Sequence, residues 1–329
     1  MKRSVAVSVL AILTLICAGS GIAVVASERS MRRVSPTVVD LGMMDGGFTI
    51  PTAINDRGAI VGDAFSSVSG HHVAFKWNRA RGFQKILGEL RASPSDINNR
   101  GQVVGRMVPA DEGPATGFLW SRTDGLIELG SFIPSAINDR GQIAGTCQGT
   151  DFSTQTACLW RDGVVTVVAP FGSFGADINK RGHVVGQGRF DNEFKAFMWT
   201  VRNGLLVLPG PGTTGAAAIN QHDQIVGNTC CIDVAVDQRG IIWSDPDRFT
   251  LMPVGDMLVD INDRNEIVGR RGGRPWEAFA ITSDGENVAL GTGVPVGINK
   301  RSQIAGSSDA ADGTHLIVWT LHAGGGRDR

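Results

Sequence analysis

Apolar residues along this chain come in short runs of four to six, each closed by Gly, Asn, Asp or Pro, and no window holds a helical period over three turns. The runs are rich in Val, Ile, Phe and Trp, which predicts strands. They do not alternate strictly with polar residues, as expected when both faces of a small sheet are covered by neighbouring sheets. The runs also recur in a fixed order. An Ile-Asn pair returns with its Asn at 55, 98, 138, 179, 220, 262 and 299, at intervals of 43, 40, 41, 41, 42 and 37 residues. After each comes a tight turn and a run ending in Gly, such as Val103-Val104-Gly105 or Ile225-Val226-Gly227. A third run carries an aromatic signature: Phe75-Lys76-Trp77, Phe118-Leu119-Trp120, Phe197-Met198-Trp199. A fourth run ends near Gly, as in Leu126-Ile127-Glu128-Leu129-Gly130.

Four short strands per unit of about forty residues, seven times over, predict an all-β, seven-bladed β-propeller of four-stranded blades. The two ends of the repeat bear on how such a ring closes. The seventh unit stops at Trp319-Thr320-Leu321, short of a fourth strand, whereas an orphan fourth strand, Thr37 to Gly42, precedes the first Ile-Asn. The N-terminal strand is therefore expected to complete the last blade. An open solenoid would need polar capping units, and none is present.

The turn after each Ile-Asn reads as a type I turn closed by a left-handed residue. The closing position is Gly58, Gly101, Gly141 and Gly182, then Asp223, Asn265 and Ser302. Asp and Asn tolerate positive φ best among residues with a side chain, so only Ser302 strains the requirement. The simplest role for the seven Asn residues is turn formation; a ligand-binding ring of Asn side chains is the sharper alternative.

The units resemble the HAF repeat of exported bacterial proteins, in which a His-Ala-Phe-x-Trp strand follows an Ile-Asn-x-x-Gly-x-Val-Val-Gly hairpin. The resemblance covers residues 38 to 321. Its histidine position holds Val73, Thr116, Thr156, Lys195, Arg239, Glu277 and His315, so that histidine is not a repeated ligand in this chain. The resemblance implies export and architecture, and no particular chemistry.

The N-terminus agrees with export. Lys2 and Arg3 precede an apolar stretch from Val5 to Ile16, and Val24-Val25-Ala26 suits signal-peptidase cleavage after Ala26. Residues 1–26 are thus expected to be a signal peptide, 27–37 a short leading segment, 38–321 the propeller and 322–329 a disordered tail. Val5 to Ala26 is also long enough, at 22 uncharged residues, to serve as an uncleaved anchor. Cleavage would change the net charge from −1 to −3, because Lys2 and Arg3 leave without an acid. Such a balance carries no footprint for nucleic acid. The expected location is periplasmic or extracellular, and the expected form is a monomer with no membrane span after cleavage.

Candidate chemistry is sparse. Cys147 and Cys158 flank the loop between the second and third strands of unit three, which predicts a disulfide in an oxidising compartment. Cys230 and Cys231 are adjacent and could form a vicinal bridge or stay as thiols. Asp96, Asp177 and Asp260 precede Ile-Asn in alternate units and would line the central channel, either as a cation or acid–base site or as acceptors for backbone amides. Six of the seven tryptophans occupy the repeat's strand position and are expected in the core; Trp276 is the one outside it, and it sits among Arg270, Arg271 and Arg274 as a candidate ligand contact. His71-His72 lies in the variable loop of unit one. No motif calls for a cofactor or a metal, and no catalytic set is readable. Two functions remain: an exterior binding or scaffold module for an unidentified protein or glycan, or an enzyme on a polysaccharide or other polymer at the channel mouth. In either case the variable loops after the second and fourth strands present the contacts. Besides the histidines and arginines already named, they hold Asp111, Glu112 and Asp309.

Overall fold

In a computed structural model, residues 34–109, 113–149, 151, 154–230 and 238–322 are described. They form seven four-stranded antiparallel sheets with no helix among the described residues. The sheets are the blades of a seven-bladed β-propeller. Blade 1 runs outward from its inner strand Thr49–Ile54 through Ile60–Ser66 and His71–Asn78 to Gly82–Lys85. The inner strands of blades 2 to 6 are Ala92–Ile97, Phe132–Ile137, Ser173–Ile178, Thr213–Ile219 and Met257–Ile261.

Blade 7 closes the ring as the sequence implies. Its inner three strands are Val294–Ile298, Gln303–Ala310 and Gly313–His322, and its outer strand is the N-terminal Ser35–Gly42. Val38 lies opposite Trp319 and Val39 opposite Val318. The pairing runs from Ser35 opposite His322 to Gly42 opposite Leu316. His315 adds a side-chain clasp across this closure, with Nδ1 at 2.9 Å from Asp40 and Nε2 at 3.0 Å from Asp312.

The core lies between blades. Val61 and Ala74 of blade 1 pack with Ala92, Ile97 and Phe118 of blade 2 in one apolar cluster, and comparable clusters repeat around the ring. Close approach of the first two strands explains the Gly that ends each second run. Every inner strand carries a bulge, between Pro51 and Ala53 in blade 1, that drives its backbone toward the second strand. A Cβ at Gly62 would collide with the Ile50 carbonyl oxygen, and one at Gly105 with that of Ser93.

The repeat tryptophans correct one expectation. All six were expected in the core, yet only Trp243 and Trp319 are fully buried; Trp77, Trp120, Trp160 and Trp199 are half-buried. Where Phe118 or Phe197 stands two residues earlier, its ring fills the space beside the second-strand Gly. Ile241 and Ile317 leave that space free, and in blade 7 the Trp319 ring enters it beside Gly306. The indole N–H groups then reach the carbonyls of Pro209 (2.7 Å) and Leu290 (2.9 Å).

Cys147 and Cys158 form the expected disulfide, with their Cα atoms 5.9 Å apart on adjacent strands of blade 3. Residues 1–33, 231–237 and 323–329 lie outside the described residues, as does the side chain of Cys230. The signal peptide, most of the leading segment and tail, and the Cys230-Cys231 pair fall there.

Candidate functional site

The two faces of the ring differ in how far their polar groups are already used. On the turn face, the closing residues Asp223, Asn265 and Ser302 have φ of 64°, 62° and 59°, beside the positive-φ glycines of the other four copies. Ser302 is buried, and its hydroxyl donates to Glu266 at 2.8 Å. Each repeat Asn forms the turn with its Oδ1; in blade 1 this atom accepts from the N–H groups of Arg57 (3.0 Å) and Ala59 (2.9 Å). The Nδ2 groups do something the sequence did not suggest. Each donates to the main-chain carbonyl of the Asn in the following blade, at 2.9–3.3 Å, through all seven blades and back to the first. The Asn residues are both turn formers and a closed circle of inter-blade bonds.

Five of the seven residues that follow an Asn add further inter-blade bonds at the channel mouth, Asp139 among them by accepting the N–H of Asn99 at 2.8 Å. Asp56, Asn99, Gln221 and Asp263 accept main-chain N–H groups from the preceding blade at 2.9–3.1 Å. The Lys300 ammonium lies 3.1 Å from Asp56, and that of Lys180 lies 3.8 Å from both Asp139 and Asp263. Burial alone would raise Asp56, but the N–H and ammonium of Lys300 hold its carboxyl below the ordinary value.

Beneath this mouth, Asp96, Asp177 and Asp260 line the channel between a cavity of about 170 Å³ and another of about 150 Å³. Each carboxylate spans two blades. Asp96 accepts from Ile97 (2.7 Å) and from Ile137 of the next blade (2.8 Å); Asp177 and Asp260 repeat this with Ile219 and Ile298. Burial pushes Asp96 and Asp260 up to about 7, and raises Asp177, against the pull of these N–H donors. The charge of Asp177 adds to the rise at the other two. Among the described residues no cluster of His, Cys, Asp or Glu is arranged to hold a metal ion.

On the loop face, the group around Trp276 divides. The Arg270 guanidinium stacks 4.5 Å from the Trp276 ring centre, and Arg274 is exposed. Arg271 points elsewhere: it pairs with the buried Asp256 at 3.1 Å and lies 4.4 Å from the Phe279 ring. Two of the four residues thus form a contact pair, and one is tied into the blade.

The larger feature of this face is a cleft of about 730 Å³ between blades 1 and 2. Asp63 sits at its wall, with its carboxylate only 14% exposed. One oxygen holds His72 Nδ1 at 2.6 Å, and the other accepts the Ser93 hydroxyl of blade 2 at 2.8 Å. The Phe65 ring meets the His72 imidazole edge-on, with centres 6.0 Å apart. Arg91 and Arg106 border the same cleft and are exposed. Neither guanidinium has an ion-pair or hydrogen-bond partner among the described residues. Asp111 and Glu112 lie outside the described residues.

The comparisons speak to architecture. No family model matches the sequence, and no curated protein does. Among solved structures, the chain is similar to virginiamycin B lyase from Staphylococcus aureus, at 12% identity and TM-score 0.57, over 88% of this chain and 100% of that one. It is similar to the β-propeller domain of the Trilobed protease from Pyrococcus furiosus, at 13% identity and TM-score 0.51, over 73% and 85%. It is also similar to an acylaminoacyl peptidase from Pyrococcus horikoshii, at 13% identity and TM-score 0.56, over 87% of this chain and 54% of that one. The likeness is one of fold. The Pyrococcus furiosus domain is described as having an open velcro topology, whereas here the Ser35–Gly42 strand seals the last blade.

The cleft was only partly legible. His71 and His72 stood out as a pair, but Asp63, Ser93, Arg91 and Arg106 did not. Asp63 follows the hairpin Gly, where the other copies hold Arg106, Thr146, Gln187, Asn228, Arg270 and Ser307. Gln187 and Asn228 bond to the main chain of the next blade from this position. The usable signal was therefore positional: an acid there faces the neighbouring blade.

Proposed function

We propose that this chain is an exterior binding module whose ligand sits on the loop face, in the cleft between blades 1 and 2. The observation that carries this reading is the contrast between faces. Turn-face polar groups are largely bonded to one another around the ring, while the cleft keeps an oriented imidazole and two guanidinium groups available. A cavity of about 730 Å³ with few convergent polar groups is what a small-ligand or glycan site requires. The Arg270–Trp276 stack offers a second contact on the same face. Export fits the Cys147–Cys158 bridge and the resemblance to HAF repeats. No helix among the described residues is long and apolar enough to cross a membrane.

A specific observation favours a second reading, catalysis on a polymer. Asp63 orients His72 through Nδ1, which leaves Nε2 without a partner among the described residues at the cavity, an arrangement suited to a general base. A glycan and polymer binding screen run alongside product detection separates the two. Binding without product supports the module; product formation abolished by His72→Gln supports the enzyme.

A further inference from the structure

We infer that the blade 1–2 cleft takes an acidic saccharide, a sugar ring bearing a carboxylate; this rests on the loop-face reading above. The charge balance of the cleft comes first. Among the described residues that line it the one carboxylate, Asp63, is engaged at both oxygens by His72 and Ser93. Its two guanidiniums, Arg91 and Arg106, have no acidic partner among the described residues. The described residues lining the cleft therefore sum to a positive charge of one before any proton on histidine, on a chain whose overall charge is −1. Guanidinium groups recognise carboxylates through paired N–H donors, so an oxyanion is the complementary ligand group.

The shape of the cleft selects among oxyanions. A bare phosphate or sulfate would leave most of a cavity of about 730 Å³ unfilled. The walls also include Phe65, Met107 and Val108, apolar surfaces against which the C–H face of a pyranose packs. His72 is fixed by Asp63 with its Nε2 unpartnered among the described residues, and its side chain is 43% exposed, placing a hydrogen-bonding group beside a sugar hydroxyl or carboxylate. Apolar wall, oriented imidazole and paired guanidinium donors together suit an acidic sugar better than a neutral sugar or a small ion.

The test is calorimetric titration of the folded protein with oligogalacturonate, with neutral glucan oligomers and inorganic phosphate as parallel arms. Oligogalacturonate is expected to bind, with affinity falling at least tenfold in Arg91→Gln/Arg106→Gln and in His72→Gln. Arg140→Ala on the turn face is expected to change nothing, and each variant is checked by its melting temperature. If neutral glucans bind as well as oligogalacturonate, and the arginine variant is unaffected, the acidic class is wrong while the loop-face reading stands. If phosphate binds as tightly as oligogalacturonate, the saccharide assignment is wrong. If Arg140→Ala abolishes binding and the cleft variants do not, the loop-face reading itself fails. Absence of heat in all three arms also overturns the proposal.

Discussion

Asn299 donates its side-chain amide to the main-chain carbonyl of Asn55 at 3.0 Å, across 244 residues of chain. This contact completes a circle that otherwise runs from each blade to the next, so every blade is bonded at its turn to both neighbours. Outer-strand pairing closes the ring at its periphery, and the Asn circle closes it at the axis.

Replacing one member of the circle should therefore cost more than a turn. In Asn138→Ala the N–H groups of Arg140 and Gln142 lose their acceptor and the Asn179 carbonyl loses its donor. We expect a destabilisation of about 2–4 kcal/mol from these buried groups. Arg140→Ala, two residues further along the same turn and exposed, is expected to change stability by less than about 0.5 kcal/mol. Denaturant titration of the two variants measures both values.

Deleting residues 27–42 removes the outer strand of blade 7 and leaves the Gly313–His322 strand with an unpaired edge. The melting temperature is expected to fall sharply, and an unchanged value would contradict closure by this strand.

Much of this architecture could be read from the sequence because it is set by local backbone demands. Gly58 and its counterparts Asp223, Asn265 and Ser302 all have the positive φ that their place in the turn implied. The orphan strand at Thr37 to Gly42 and the missing strand after Leu321 were complementary absences, visible without coordinates. What escaped was lateral. The Nδ2 of Asn55 acts on Asn98, 43 residues on, and one of the two amides on Asp96 comes from Ile137. Periodicity shows that units repeat, but not which atoms meet across their seams. The cleft was hidden for the same reason, since Ser93 and Asp63 belong to different blades.

The disulfide closes a short loop, with a sequence separation of 11 residues between Cys147 and Cys158. Loop-closure entropy for that length corresponds to about 2–3 kcal/mol of stabilisation. Non-reducing peptide mapping of protein from an oxidising compartment should recover the linked pair. The Cys147→Ala/Cys158→Ala variant should melt lower under oxidising conditions and match the reduced wild type.

The channel acids should give stability a distinct pH dependence. Asp96 and Asp260 are raised to about 7 in the folded chain, above their ordinary value, and Asp177 is raised as well. The folded state thus holds protons that the unfolded state has released, so the contribution of these groups is fully present below about pH 4 and lost as pH rises through about 7. Asp139 adds to the repulsion at Asp96. Asp96→Asn/Asp177→Asn/Asp260→Asn is expected to lose amide bonds at every pH, yet to flatten the decline in melting temperature between pH 5 and 8. Equal slopes for variant and wild type would contradict the shift.

The most direct measurement of the central claim, that the loop face holds the ligand, is hydrogen–deuterium exchange with and without the tightest-binding oligosaccharide of the screen. New protection is expected in residues 63–72 and 91–108, with the turn residues 139–141 and 180–182 unchanged. Protection confined to those turns, with none at the blade 1–2 cleft, would contradict that claim.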